Sequence, residues 1–237
     1  METIKLKLPG ENDFFTEEAY KVLRTNLQFC GQELKVICLT SCNENEGKST
    51  VTLHLGKSFS ALGKKVLVID ADMRKSVIAG RNTSVRNPKG LSEALTGLCP
   101  VKDCIYTVKD TTFDIIFSGQ YPPNPVELLS GKYFAKLIDE AREKYDYIFI
   151  DLPPLGQVVD AAVVAERCDG CVLVLGNTRT SYRKAQEVID LVRKSGCKML
   201  GVVRNNRRKK KNGAYGDGYG YRTAYAPGTG SVSNNKK

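Results

Sequence analysis

No stretch of the 237-residue sequence approaches the roughly 18 to 20 uninterrupted apolar residues that span a bilayer. The opening METIKLKLPGENDFF also lacks the apolar middle of a secretion signal, so the chain is expected to remain in the cytosol. A disulfide framework is missing too. The eight cysteines (Cys30, Cys38, Cys42, Cys99, Cys104, Cys168, Cys171 and Cys197) are scattered, several inside apolar runs such as KVICLT and CVLVLG. A chain of this size buries one full core without covalent staples, and reduced thiols are expected. Cys168 and Cys171 form a C-x-x-C, but it leads straight into an apolar run and no second pair sits at zinc spacing, which argues against a metal or redox role.

Little net charge belongs to the body of the chain. Of the total of +10, residues 204–237 hold nine Lys/Arg and one Asp, a balance of +8, which leaves +2 for residues 1–203. The basic character is that of a tail, and a nucleic-acid-binding core is not indicated.

What is present is an alternation. KVICLTS (35–41) reads as a buried strand, KSTVTLHLGKSFSALG (48–63) as a helix closed by Gly63, and KKVLVIDAD (64–72) as the next strand. FDIIFSG (113–119), YDYIFIDLPP (145–154), GCVLVLGN (170–177) and KMLGVVRNN (198–206) supply further strands, with helical segments near 124–144, 157–167 and 179–195 and a leading helix over 16–34. Strands that read as continuous apolar runs are buried on both faces. The expected fold is therefore α/β, a parallel sheet with helices on both faces and ligands beyond the carboxyl ends of its strands. From Arg204 onward aliphatic residues almost vanish among Gly, Asn, Lys and Tyr, and that segment cannot offset its ordering entropy. The expected division is a domain over 1–206 and a disordered basic tail over 207–237.

SCNENEGKST (41–50) lies at the junction between the first of these strands and its helix. A phosphate-binding loop works because backbone N–H groups and a helix N-terminus face the phosphates, a lysine adds a mobile positive charge and a hydroxyl meets Mg²⁺. Gly47, Lys48, Ser49 and Thr50 supply the essential end of such a loop. Cys42 replaces its usual first glycine, and Asn45 must adopt whatever strained backbone the loop imposes, which Asn tolerates better than most residues. Asp70 and Asp72, two apart on an extended chain, share a side of it and suit a Mg²⁺ shell or a base for an incoming hydroxyl. Asp151 occupies a Walker B position, followed by two prolines that stop the strand, and is placed to hold Mg²⁺ through water while Ser49 binds it directly.

Together TSCNENEGKST, VLVIDADMR and YIFIDLPP resemble the Walker A, A′ and B motifs of the bacterial tyrosine kinases of capsule and exopolysaccharide synthesis. SGQYPPNPVELLSG (118–131) and EEAYKVLRTNL resemble two further stretches of that family, so that the similarity runs through residues 16–206 in order. The resemblance implies a MinD/ParA-like P-loop fold and the cofactors ATP and Mg²⁺. It implies that Lys48 and the backbone of Asn43, Glu44, Asn45, Glu46, Gly47, Lys48, Ser49 and Thr50 hold the phosphates. Ser49, Asp72 and Asp151 would organise Mg²⁺, Asp70 would accept the proton of a substrate tyrosine, and Asn205 would contact the adenine base, although a strand-end Asn also closes turns. Three departures stand out. Glu44-Asn45 replaces the family's usual Pro-Gly, His54 stands where the helix often carries Asn, and Glu18-x-x-Lys21-x-x-Arg24 has Lys in place of the first Arg of the oligomerisation motif, losing a bidentate donor. No catalytic role is assigned to His54.

Tyr215, Tyr219, Tyr221 and Tyr225 match the family's C-terminal tyrosine cluster and read as the enzyme's own substrates, entering a neighbouring active site. Each phosphate adds about −1.5 to −2 charges, so a few would cancel the tail's excess. The expected activity is autophosphorylation on tyrosine in the control of polysaccharide synthesis or export. The resemblance further implies a membrane adaptor that recruits the chain to the inner face of the membrane, a homo-oligomeric ring and protein tyrosine substrates, with no nucleic-acid partner. The rival is a MinD/ParA-like ATPase switch on membrane or DNA, whose loop would carry a second lysine near its start; positions 41–46 hold none.

Overall fold

The computed structural model describes residues 2–11, 13–156, 160–176 and 180–205. The tail, with Tyr215, Tyr219, Tyr221 and Tyr225, lies outside the described residues, as do positions 157–159 and 179 of the expected helices and 177 of the expected strand 170–177.

Among the described residues eight strands form one sheet. They are β1 (Glu2–Ile4), β2 (Val36–Ser41), β3 (Val66–Asp70), β4 (Ile105–Val108), β5 (Phe113–Ile116), β6 (Tyr147–Asp151), β7 (Gly170–Leu175) and β8 (Met199–Arg204), in the spatial order β1-β4-β5-β3-β6-β2-β7-β8. The six strands from β5 to β8 in that order are mutually parallel. The expectation of a parallel sheet needs one correction: β4 runs antiparallel to β5, with β1 parallel to β4, so the sheet is mixed at one edge. The tight connection between them includes Asp110 at φ 59°, a left-handed position that aspartate tolerates and a hairpin exploits.

Continuous apolar runs become strands here because both faces are covered. Val36 and Cys38 of β2, Leu67 and Ile69 of β3, and Ile148 and Ile150 of β6 point into one buried cluster. Their alternates Ile37 and Leu39, Val66 and Val68, and Phe149 point into the other. α6 (Lys132–Lys144), α7 (Asp160–Ala165) and α8 (Tyr182–Lys194) cover the first cluster; α1 (Phe14–Phe29) and α2 (Lys48–Ser60) cover the second. All eight cysteines are unpaired. Cys38, Cys168, Cys171 and Cys197 lie in the first cluster, where Cys168 Sγ donates to Val164 O at 3.3 Å and Cys197 Sγ to Cys168 O at 3.7 Å.

Several expected boundaries move for local reasons. The leading helix ends at Phe29, because Gly31 at φ 155° leaves helical space. α2 stops at Ser60 and Gly63, at φ 74°, closes the turn by donating to Ser60 O at 2.8 Å. Segment 124–144 is two helices, α5 (Pro125–Ser130) and α6, separated by extended Gly131. Two short helices, α3 (Ile78–Asn82) and α4 (Leu91–Leu95), fill the connection between β3 and β4.

α1 is fastened to α2 by polar contacts. Arg24 NH1 donates to Ser58 O at 2.6 Å, and Tyr20 stacks on His54 with centroids 4.3 Å apart. His54 Nε2 donates to Pro9 O at 2.9 Å, and burial, as the largest influence, lowers its pKa. His54 is thus a neutral spacer between elements. Of the motif on α1, Arg24 is committed within the chain, while Lys21 pairs with Glu18 on the surface at 2.7 Å.

Candidate active site

The sheet order creates the site. β6 lies between β2 and β3, so the carboxyl ends of three adjacent strands deliver Ser41, Asp151 and Asp70 side by side, with Asp70 and Asp151 as register partners. From β2 the chain turns through residues 42–47 into α2. Gly47 is required twice over: its φ of 86° is left-handed, and a Cβ there would collide with Asn205 Nδ2. Asn45 also sits in the left-handed region, at φ 61°.

The residue that organises the loop was not legible as such in the sequence. The Glu46 side chain is buried, and its carboxylate accepts from Cys42 N at 2.8 Å, from Asn43 N at 3.0 Å and from Thr180 Oγ1 at 2.5 Å. Burial works to raise its pKa, but the hydrogen bonds from Thr180, Asn43 and Cys42 prevail and hold it below the usual range. Asn43 is fixed in turn by Lys184 Nζ, 2.5 Å from its Oδ1. The Asn43 N–H is therefore directed at Glu46. Asn205, at the end of β8, donates from Nδ2 to Glu46 O at 3.1 Å, placing its amide against the loop.

At the start of α2, Lys48 Nζ lies 3.2 Å from Asp72 Oδ2 and 3.3 Å from Asp151 Oδ2, while Ser49 Oγ donates to Asp151 Oδ2 at 2.6 Å. All four expected groups converge: Lys48, Asp70, Asp72 and Asp151 are buried, Asp70 and Asp151 completely. The route for Asp72 differs from a shared strand face, since β3 ends at Asp70 and the chain turns, Met73 N donating to Ala71 O at 3.0 Å. Asp72 N then approaches Asp70 Oδ1 at 3.3 Å, and Ser76 Oγ donates to Asp70 Oδ2.

Burial dominates the electrostatics. It pushes Asp70 up to about 8, helped by the charge of Asp151 and opposed by Ser76 and Lys48. Asp151 is raised by burial against the pull of Lys48 and Ser49. Burial would lower Lys48, but Asp151, Asp72 and Asp70 outweigh it and keep the ammonium charged. Carboxylates crowded around one ammonium form a locus that accepts further positive charge. Among the described residues no group of three or more His, Cys, Asp or Glu forms a metal cage. A hydroxyl and one or two carboxylates beside a phosphate site is nevertheless the donor set Mg²⁺ takes, because that ion keeps several waters. A pocket of about 290 Å³ opens over these groups, lined by Glu44, Asn45, Lys48, Asp72 and Lys75 among others.

A left-handed glycine and a buried lysine at the head of a 13-residue helix, met by acidic strand ends, define a P-loop nucleotide-binding protein. Residues 34–194 match the AAA domain family, and the cell division ATPase MinD of Pyrococcus furiosus shares the fold, with a TM-score of 0.60 at 24% identity over 71% of this chain and 70% of that one. Membership of that class implies ATP binding. Closer likenesses narrow the class. "Tyrosine-protein kinase CpsD" of Streptococcus agalactiae is 41% identical over 209 residues, 87% of this chain and 91% of that protein. The kinase domain of Escherichia coli tyrosine kinase ETK superposes with a TM-score of 0.77 at 32% identity, covering 86% of this chain and 80% of the other. The chain belongs to the bacterial tyrosine-protein kinases. Among the described residues no helix is long and apolar enough to cross a membrane.

Proposed function

We propose that this kinase transfers the γ-phosphoryl group of Mg·ATP to protein tyrosines, those of its own tail included, in the control of capsular or exopolysaccharide synthesis. The observation that carries the reading is the convergence of Lys48, Ser49, Asp72 and Asp151 on one another, with Lys48, Ser49 and Asp72 lining the pocket above the buried Asp151. Mg²⁺, when bound, supplies charge neutralisation across the phosphates. Ser49 is suited to ligate it directly, with Asp72 and Asp151 placed around it. Lys48 exchanges its two carboxylates for phosphate oxygens, and the loop from Asn45 to Thr50, pinned by Glu46, orients the donor. Asp70 carries its proton at neutral pH in the nucleotide-free chain, given a pKa near 8. Its role is accordingly to orient the incoming phenol; a phosphoryl transition state is governed mainly by positioning and neutralisation. Ser76, which donates to Asp70, also lines a pocket of about 560 Å³ with Arg86, Gln120 and Tyr121. The family resemblance supports a membrane adaptor as activator, recruitment to the inner membrane face and assembly of copies into a ring.

The full chain, incubated with Mg²⁺ and γ-labelled ATP with and without an adaptor's cytoplasmic segment, should acquire alkali-resistant label that mass spectrometry places on Tyr215, Tyr219, Tyr221 or Tyr225. Deleting 212–237 should remove most of it. Release of free phosphate with no protein label in either condition would replace the kinase by an ATPase switch, and label confined to the core would remove the tail from the substrates.

A further inference from the structure

The phosphate loop of this chain contains an acid where an anion must approach. Glu44 stands at the mouth of the nucleotide pocket, in place of the family's proline, and its Oε2 lies 2.6 Å from Lys75 Nζ on the connection that follows β3. The contact therefore bridges the two loops that face the phosphates. The side chains of Lys75 and Glu44 are 69% and 41% exposed, so the pair is screened and readily exchanged. The main chain of Lys75 is fixed: its N–H donates to Asp72 Oδ1 at 3.0 Å, and Asp72 Oδ2 in turn takes the Lys48 ammonium at 3.2 Å. Lys75 is thus anchored beside the lysine that reaches the β- and γ-phosphates in a P-loop, with a flexible four-carbon stem free to swing.

We propose that Glu44 and Lys75 form a charge clasp across the pocket mouth, and that Lys75 leaves Glu44 to contact the terminal phosphate of a bound nucleoside triphosphate. The inference rests on the nucleotide-binding reading above and adds to it a residue that discriminates triphosphate from diphosphate. Without nucleotide, Lys75 neutralises a carboxylate that would otherwise repel the phosphates. With a triphosphate, the lysine is drawn to the higher charge density; a diphosphate ends one group short and leaves the clasp closed.

Calorimetric titration of the full chain with Mg·AMP-PNP and with Mg·ADP tests this. Lys75→Met should weaken AMP-PNP about tenfold, the size of one charge-assisted contact, and ADP about twofold at most. Glu44→Gln should tighten AMP-PNP severalfold, and both effects should shrink as salt is raised. Equal changes for the two nucleotides in Lys75→Met, no change in either, or weaker AMP-PNP binding by Glu44→Gln would overturn the clasp while leaving the nucleotide site intact. Wild-type protein that binds neither nucleotide would overturn the site itself, and the clasp with it. Both side chains are exposed, and matching circular dichroism of the variants verifies that the fold is unchanged.

Discussion

The two ends of the central sheet treat carboxylates in opposite ways. At the amino end, Asp169, just before β7, accepts from Lys35 N at 2.9 Å, from Val36 N at 2.8 Å and from both terminal nitrogens of Arg142 at 2.9 and 2.8 Å. Burial would raise its pKa, but Arg142, Val36 and Lys35 more than compensate and it stays ionised, below its usual range. At the carboxyl end, Asp70, Asp72 and Asp151 crowd one ammonium, and burial with mutual repulsion pushes Asp70 to about 8. A carboxylate answered by four donors, two of them from a guanidinium, is a structural clamp. Carboxylates short of positive charge are a binding site, whose missing partners arrive with the ligand.

The comparison is broken most forcefully by Lys48→Met. Label transfer from ATP should fall by at least about 10³-fold while the protein remains folded, since the principal charge that meets the phosphates is gone. Persistent labelling would show that the carboxyl end is only another clamp. At the amino end, Arg142→Ala should act on stability instead. Arg142 and Asp169 are 32% and 24% exposed, between a surface pair and a fully buried one. The loss should be about 1–2 kcal/mol, read as a lower urea midpoint with unchanged slope and unchanged labelling per folded molecule. A catalytic defect without a stability loss would erase the distinction.

Asp70→Asn sharpens the contrast by its pH dependence. With a folded pKa near 8 and an ordinary value of 3.8, the contribution of Asp70 to stability is whole below about pH 4 and declines as pH rises towards 8. The Asn variant escapes that decline. Its melting temperature relative to wild type should climb between pH 5 and pH 8, by about 2–4 °C for each kcal/mol recovered. A difference that is flat with pH would mean that Asp70 is ionised throughout.

Much of this was legible in the sequence because it depends on neighbours along the chain. The β2–α2–β3 unit follows from apolar runs punctuated by Gly47 and Gly63, and the positive φ of Asn45 follows from the geometry a phosphate loop imposes. Asp151 could be placed because two prolines end its strand. The hidden features depend on residues far apart. Glu46 becomes the organiser of the loop only when Thr180 and Lys184 come alongside. Cys38 joins Cys168, Cys171 and Cys197 only through the pairing of β2 with β7 and the return of the chain after α8, so the C-x-x-C spacing by itself gave no sign of a four-thiol core. The antiparallel β4 is hidden because its IYTV segment is only half-buried, alternating residue by residue, and is not a continuous apolar run, although Asp110 marks the turn.

The insertion of β6 between β2 and β3 sets an order on biosynthesis. A nascent polypeptide that has emerged from the ribosome only as far as Asp72, just past β3, owns the glycine, the lysine and two of the three acids, yet β2 and β3 have no common edge until residues 147–151 arrive to join them. The two strands that carry the pocket's lysine and acids are therefore joined into one sheet only after its middle strand has been translated and threaded into place.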